Sequence, residues 1–357
     1  MKIIQVCPRY YPDIGGVETH VKEISDRLVE KGFEVEVVTT DPRGKLSKDE
    51  EINGVEVRRF RSFAPHDAYF FAPQIYFYLK KANCDLIHAH SYHALPAFFA
   101  ALAKRDRTFV FTSHYHGKGH TVLRNILHKP YKFVGSRIFW DADRVVCVSL
   151  YEKELIKEHF RLEDKKLVHI PNGINLEEFG IGRSVKDRKT ILYVGRLERY
   201  KGVQYTIKAL PYLEDYRLVI VGKGSYEVEL RRLAARFNVT GRIEWRKDLP
   251  REELVERYKS AAVFVLLSSF EAFGITVAEA IASGTPCIVA ETGALKEYID
   301  NRTCFGLRNP ENVDKLAEKI VVVSKMDINL MDLPKDKIKS WDEVVEGYEK
   351  LYKELNV

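Results

Sequence analysis

The segment EAFGITVAEAIASGTP (residues 271–286) carries two glutamates eight positions apart. Glu271 precedes a glycine turn, and Glu279 falls inside a helical pattern that follows the apolar run VFVLLS. Ala278, Ala280 and Ala282 are small, so this helix can pack closely, and a carboxylate buried in it needs hydroxyls or cations as partners. A sugar or ribose supplies two hydroxyls at once. The plainer reading, glutamates at a helix N-terminus answering the macrodipole, accounts for Glu271 and poorly for Glu279.

The segment VGRLERYKG (residues 194–202) offers cations. A strand ends at Gly195, Arg196 and Lys201 follow in the loop, and Gly202 opens a helix. An arginine fork and a lysine point charge beside a helix N-terminus suit a diphosphate. They stand at the carboxyl end of a strand, where open parallel sheets bind ligands. The alternative is two solvated surface cations. PDIGG (residues 12–16) lies between the first strand and the first helix, where Gly15 and Gly16 let the backbone approach a ligand and free N–H groups face it. A plain tight turn explains the motif about as well. His114 closes FVFTSH, and His116 and His120 lie further into its loop. Spacing assigns no Ser/His/Asp triad and no metal cluster.

These residues need a scaffold of strands. KIIQV, VEVVTT, DLIHAH, FVFTSH and DRVVCVS are short apolar runs separated by helix-length segments, the mark of strands buried on both faces. The first helix starts near Val17 and ends at Gly32, as a C-cap glycine would end it. The pattern restarts with TILYVGR, RLVIVGK, RIEWR, AVFVLLS and PCIVA, with helices beginning near Gly202, Tyr226, Pro250, Gly274 and Leu295. Two doubly wound α/β domains follow, joined by a linker near residues 176–188. The last helix, SWDEVVEGYEKLYKEL, sets Val344, Val345, Tyr348, Leu351 and Tyr352 on one side.

At 357 residues the chain is long enough for two cores, and 45% hydrophobic with 30% charged residues is ordinary for a globular protein. The net charge of +6 suits an anionic substrate or membrane surface; without a helix-turn-helix or aromatic motif it does not indicate nucleic acid. Cys7, Cys84, Cys147, Cys287 and Cys304 form no CxxC pair and read as buried, reduced thiols. The first apolar run is too short for a signal peptide and no stretch suits a transmembrane helix, so a cytoplasmic protein is expected. Peripheral membrane contact is one expectation for residues 121–139. Leu123, Ile126, Leu127, Val134 and Ile138 line one helical face there, and Arg124, His128 and Lys132 another, near Lys129 and Arg137. A core-facing helix with a solvated basic side is the stronger reading of the same pattern.

Together PDIGG, TSH, IPNGIN (residues 170–175), VGRLERYKG, the Glu271–Glu279 element and the closing SW with its helix resemble the family 4 retaining glycosyltransferases of the GT-B class. The likeness runs along almost the whole chain. It implies two facing Rossmann-like domains, with residues 1–176 on the acceptor side and 177–340 binding a nucleotide-sugar donor. The helix at 341–357 would cross back to the N-terminal domain. It implies that Arg196 and Lys201 neutralise the donor diphosphate and that Glu279 holds the ribose. Glu271, with the N–H groups of Phe273, Gly274 and Ile275, would hold the sugar and phosphates. Gly15 and Gly16 would approach the phosphates, and His114 the sugar. Val221, Gly222, Lys247, Asp248 and Leu249 would lie near the base. Asn175, Leu267, Ala294 and Lys296 depart from the family pattern without removing any of these residues.

The expected reaction is retaining transfer of a sugar to a hydroxyl of a glycan, a lipid-linked molecule or a small molecule. The one DxD-like triplet, Asp141–Asp143, precedes a strand instead of ending one, so no metal and no other cofactor is expected. Two rivals stand beside this reading. An epimerase on the same fold would act on the nucleotide sugar without an acceptor. A non-catalytic nucleotide-sugar-binding protein would not need the full set Arg196, Lys201, Glu271 and Glu279.

Overall fold

The computed structural model describes residues 1–65, 68–117, 131, 135–179, 187–326, 328, 334 and 337–355. The chain divides into two compact units, Met1–Gly173 with Trp341–Val357, and Ile174–Ser340. The passage falls at Gly173, three residues before the expected 176, because the helix Leu176–Phe179 belongs to the second unit: Glu178 bonds Arg251, and the Phe179 ring meets that of Tyr258.

The first unit is built on β1 (Lys2–Val6), β2 (Glu34–Thr40), β3 (Asp49–Ile52), β4 (Val55–Phe60), β5 (Leu86–His90), β6 (Thr108–Thr112), β7 (Arg144–Cys147) and β8 (Leu167–His169). Their order is β3-β4-β2-β1-β5-β6-β7-β8, parallel except for the β3–β4 hairpin. The apolar runs are strands because the sheet is covered on both faces; all five residues of β5 are buried. The unexpected hairpin turns on Asn53-Gly54, both at positive φ as a type I′ turn requires. The helix Trp341–Glu354 buries Val344, Val345, Tyr348, Leu351 and Tyr352 as its pattern demands. It is tied to the helix Gly16–Glu30 by Arg27–Asp342 at 2.8 Å and, at that helix's C-cap, by Lys31–Glu349 at 3.2 Å. Strand order reverses at β1, which has β2 on one side and β5 on the other.

A two-stranded pair, β9 (Gly173–Ile174) with β16 (Lys339–Ser340), lies where the chain passes between units. The second unit carries β10 (Asp187–Val194), β11 (Arg217–Val221), β12 (Ile243–Arg246), β13 (Ala261–Leu266), β14 (Cys287–Ala290) and β15 (Cys304–Leu307), all parallel in the order β12-β11-β10-β13-β14-β15. Here the order reverses at β10. The segment expected as a helix near Leu295 is a 3₁₀ run over Gly293–Tyr298, and the helix Val313–Val323, capped by Asn312, was not anticipated.

All five cysteines are free and buried. No helix among the described residues is long and apolar enough to cross a membrane. Of the basic amphipathic stretch, Leu123, Arg124, Ile126, Leu127, His128, Lys129, Lys132 and Val134 lie outside the described residues. Within it Ile138 is fully buried and Arg137 pairs with Asp141 at 2.5 Å.

Candidate functional site

In the second unit the loops after β10 and β13 meet at the strand-order reversal, where open α/β sheets form their ligand crevice. Glycines make that approach possible. Gly222 has φ 147, and a Cβ on it would lie 1.9 Å from the Gly195 carbonyl oxygen. Gly202, at φ 80, leaves room for the Leu267 carbonyl, which a Cβ would meet at 2.2 Å. The carboxyl ends of neighbouring strands are then laced together: the Gly195 N–H donates to Val221, Gly222 to Arg246, and Ser269 to Tyr200.

Tyr200 organises the two cations. Its hydroxyl accepts from Arg196 Nη2 at 2.8 Å, and Lys201 Nζ lies 5.4 Å from its ring centroid. The ring stacks on Phe270 at 4.3 Å and 11°, which fixes the segment leading into Glu271. Lys201 Nζ and Glu271 Oε1 form an ion pair of 2.5 Å, with both side chains largely buried. Arg196 is exposed. Thus the structure brings Arg196, Lys201 and Glu271 together around a tyrosine that motif reasoning passed over. Tyr200 lay inside VGRLERYKG, and only its spacing of four from Arg196 marked it.

Glu271 leads to Phe273, which is buried against Tyr298, and to Gly274, whose φ of 94 starts the helix Ile275–Ala282. Gly274 and Ile275 stand where helical N–H groups lack intrahelical partners. Glu279 lies in that helix at 8% exposure. Its Oε1 accepts from Arg251 Nη1 at 2.7 Å, and its Oε2 accepts from the Tyr258 hydroxyl at 2.9 Å. Arg251 also donates to Glu178 at 2.7 Å. The buried carboxylate therefore finds the cation and the hydroxyl it needs within the protein, and its remaining lone pairs stay available. Burial works against the charge on Arg251, but Glu279 and Glu178 more than offset it and hold its pKa above the ordinary value. Burial, reinforced by Glu279, raises that of Tyr258, so its proton stays in place.

The residues expected near a base sit at the adjoining strand ends. Val221 closes β11, Gly222 follows it, and Lys247, Asp248 and Leu249 follow β12. Lys247 bonds Glu227 at 2.8 Å, and Asp248, at φ 48, bonds Lys223 at 2.8 Å.

In the first unit His114 does not end its strand. β6 stops at Thr112, and His114 stands two residues on at φ 50. The buried Glu152 explains this geometry: its carboxylate accepts from the Ser113 hydroxyl at 2.6 Å, from the Tyr115 N–H and from the Val148 N–H at 2.6 Å. The loop is thereby pinned on both sides of His114. The signal was Ser149-x-x-Glu152, a capping-box spacing in which Ser149 accepts from the Glu152 N–H. Burial lowers the pKa of His114 to about 4 and that of His88, aided by His114, to about 3. His20 and His90 are pushed down by burial and by their neighbouring histidines. Gly15 caps the helix Gly16–Glu30, and a Cβ on it would strike Glu18 Oε2 at 2.4 Å. Glu18 is buried and paired with Arg9 at 2.8 Å. A Cβ on Gly16 would meet no atom of the described residues within 4 Å, so their packing does not demand that glycine.

Two doubly wound units, one carrying paired cations and a carboxylate at its switch point, define the GT-B class of sugar-transferring enzymes. Residues 14–178 match Glycosyltransferase Family 4, and residues 175–339 match Glycosyl transferases group 1. An uncharacterised glycosyltransferase of Methanocaldococcus jannaschii is 31% identical over 347 residues, covering 89% of this chain and 87% of the relative. The sucrose-phosphate synthase of Thermosynechococcus elongatus superposes with a TM-score of 0.80 at 20% identity, over 99% of each chain. The Anabaena protein HepE, solved with UDP and glucose, gives 0.78 at 15% identity, also over 99% of each. The chain belongs to glycosyltransferase family 4 and is an enzyme that transfers a sugar.

Proposed function

We propose that this enzyme moves a sugar from a nucleoside-diphosphate donor to a hydroxyl acceptor, with retention at the anomeric carbon and without a metal ion. The observation that carries this is the pair Arg196 and Lys201 on Tyr200, beside Glu271, at the β10 switch point. Departure of a nucleoside diphosphate develops negative charge on the phosphates. Two fixed cations and the amides at Gly274 and Ile275 stabilise that charge more in the transition state than before it. Glu279, held by Arg251 and Tyr258, presents its free lone pairs to the ribose hydroxyls. Gly222 and Lys247–Leu249 receive the base. Retention, and the roles of Gly16 and His114 toward the phosphates and the sugar, come from the family resemblance.

Metal independence has a structural support of its own. Asp141 is engaged by Arg137, and Asp143 accepts from the Phe109 N–H at 2.8 Å with Lys104 at 3.6 Å. Both precede β7 and are committed elsewhere, while the positive charge a metal would bring is present as Arg196 and Lys201. The test is incubation with UDP-, GDP- and ADP-sugars and a panel of glycan and lipid-linked acceptors in EDTA, with the product anomer read by NMR. Transfer with retained configuration is expected. Inversion, a strict need for added manganese or magnesium, or epimerisation of donor alone contradicts the proposal.

A further inference from the structure

Three imidazoles of the first unit converge from separate parts of its sequence. His20 comes from the helix Gly16–Glu30, His90 from the carboxyl end of β5 and His114 from the loop after β6. One ring nitrogen of each lies within 4.8 Å of one nitrogen of each of the others. Ring centroids are 5.0 Å apart for His20 and His114, 5.5 Å for His20 and His90, and 6.3 Å for His90 and His114.

Outer partners fix the tautomers of two of the three. His20 Nδ1 lies 2.8 Å from Asn172 Oδ1, an acceptor, so Nδ1 carries the proton and Nε2 the lone pair. His90 Nε2 lies 2.7 Å from Gln5 Oε1, which likewise leaves the lone pair on Nδ1. That His90 Nδ1 is wholly buried and has no hydrogen-bond partner among the described residues, and His114 Nε2 has none among them either. The third nitrogen, His20 Nε2, has among the described residues only the Tyr348 hydroxyl, at 3.2 Å. Leaving buried polar nitrogens unpartnered is unfavourable. An outer N–H given to an amide carbonyl while the other nitrogen is left bare is how a metal-bound histidine is oriented.

We propose that His20, His90 and His114 bind a divalent transition-metal ion of the zinc class, with a fourth position left for water. The donor set is all imidazole, which suits zinc, nickel or copper and not magnesium or calcium. Metal–nitrogen bonds of about 2.0–2.1 Å draw the three rings inward. His114, half-buried on its loop, moves most. The ion takes no part in sugar transfer: by claiming His114 it withdraws that residue from the donor sugar, so an enzyme that tolerates EDTA is inhibited by zinc. This inhibition rests on the proposed placement of His114, but the binding does not.

The test uses tag-free, full-length protein stripped with chelator and titrated with cobalt chloride, followed by visible absorption and by competition with zinc. One cobalt per chain with intense d–d bands, displaced by zinc, is expected. His90→Gln and His114→Ala should each weaken binding by at least about tenfold. Circular dichroism confirms the fold, and His114→Ala decides if His90→Gln does not fold. Absence of a stoichiometric cobalt band, or a band unchanged in a folded variant, overturns the site. Stoichiometric zinc should abolish transfer and EDTA restore it. Zinc that binds at the trio without slowing transfer upholds the site and overturns the placement of His114.

Discussion

Lys201 and Glu271, seventy residues apart, form a 2.5 Å ion pair that joins the loop after β10 to the loop after β13. Two groups assigned to one donor thus hold each other in position before it arrives. Arg196, exposed and among the described residues anchored only to Tyr200, is the freer cation. Arg196→Ala should change stability by less than about 0.5 kcal/mol. Lys201→Ala, which leaves a largely buried carboxylate unpaired, should cost about 1–3 kcal/mol. Each should lower kcat by about 10²–10³-fold, the usual effect of removing one transition-state donor. Denaturation midpoints beside steady-state kinetics check both; near-normal turnover in the two variants contradicts the clamp.

The two glutamates should separate in kinetics. Glu279→Gln leaves Arg251 paired with Glu178 and should mainly raise the donor KM, as removal of the proposed ribose contact, equal in ground and transition states, would. Glu271→Gln should mainly lower kcat. Tyr258→Phe adds a control that only the structure suggests. It strips one partner from Glu279 and should raise the donor KM while costing about 1–3 kcal/mol of stability. A kcat effect confined to Glu279→Gln would reverse the two roles.

Gly16→Ala and Gly202→Ala should behave oppositely. Gly16 has open space around its Cβ position and begins a helix, so alanine there should be neutral or stabilising by up to about 1 kcal/mol. If a phosphate approaches Gly16, activity falls all the same. At Gly202 the positive φ and the Leu267 carbonyl make alanine destabilising before any ligand binds. A fully active Gly16→Ala removes that residue from the donor site.

Stability should fall on mild acidification. His20, His88, His90 and His114 are held neutral in the folded chain, His88 down to about 3 and His114 down to about 4. In the unfolded chain each takes up a proton near about 6.5. Below that pH the unfolded state binds more protons, so unfolding free energy drops as pH falls, until the folded pKa values are reached. Each such group contributes up to about 1.4 kcal/mol per pH unit. Urea midpoints between pH 7.5 and 5, above the range where carboxylates titrate, should decline, and His88→Asn should flatten the decline. A midpoint constant over that interval contradicts the account.

Sequence patterns located most of the strands and the loops that carry Arg196, Lys201 and Glu271, because strands buried on both faces are written as apolar runs and glycines punctuate their ends. What they missed depends on distant pairing. Arg251 and Tyr258 lie in a helix whose pattern looks like a solvated face, yet the fold turns both onto Glu279. Glu152 reads as an ordinary surface glutamate until Ser113 and Tyr115 are brought against it. The His20, His90 and His114 trio has no spacing at all; only adjacent β5 and β6, with the first helix beside them, assemble it. The Asn53-Gly54 hairpin, by contrast, is legible in the sequence as an Asn-Gly pair between two short strand runs.

The proposed function requires the β10 switch point to bind the nucleoside diphosphate by its own cations. Calorimetric titration of the full chain with UDP, GDP and ADP in EDTA tests it most directly. One of the three should bind at a single site per chain, and Arg196→Ala, Lys201→Ala and Glu279→Gln should each weaken it by at least about tenfold, about 1.4 kcal/mol. Binding by none of the three, binding only after a divalent metal is added, or affinity unchanged in all three variants would contradict it.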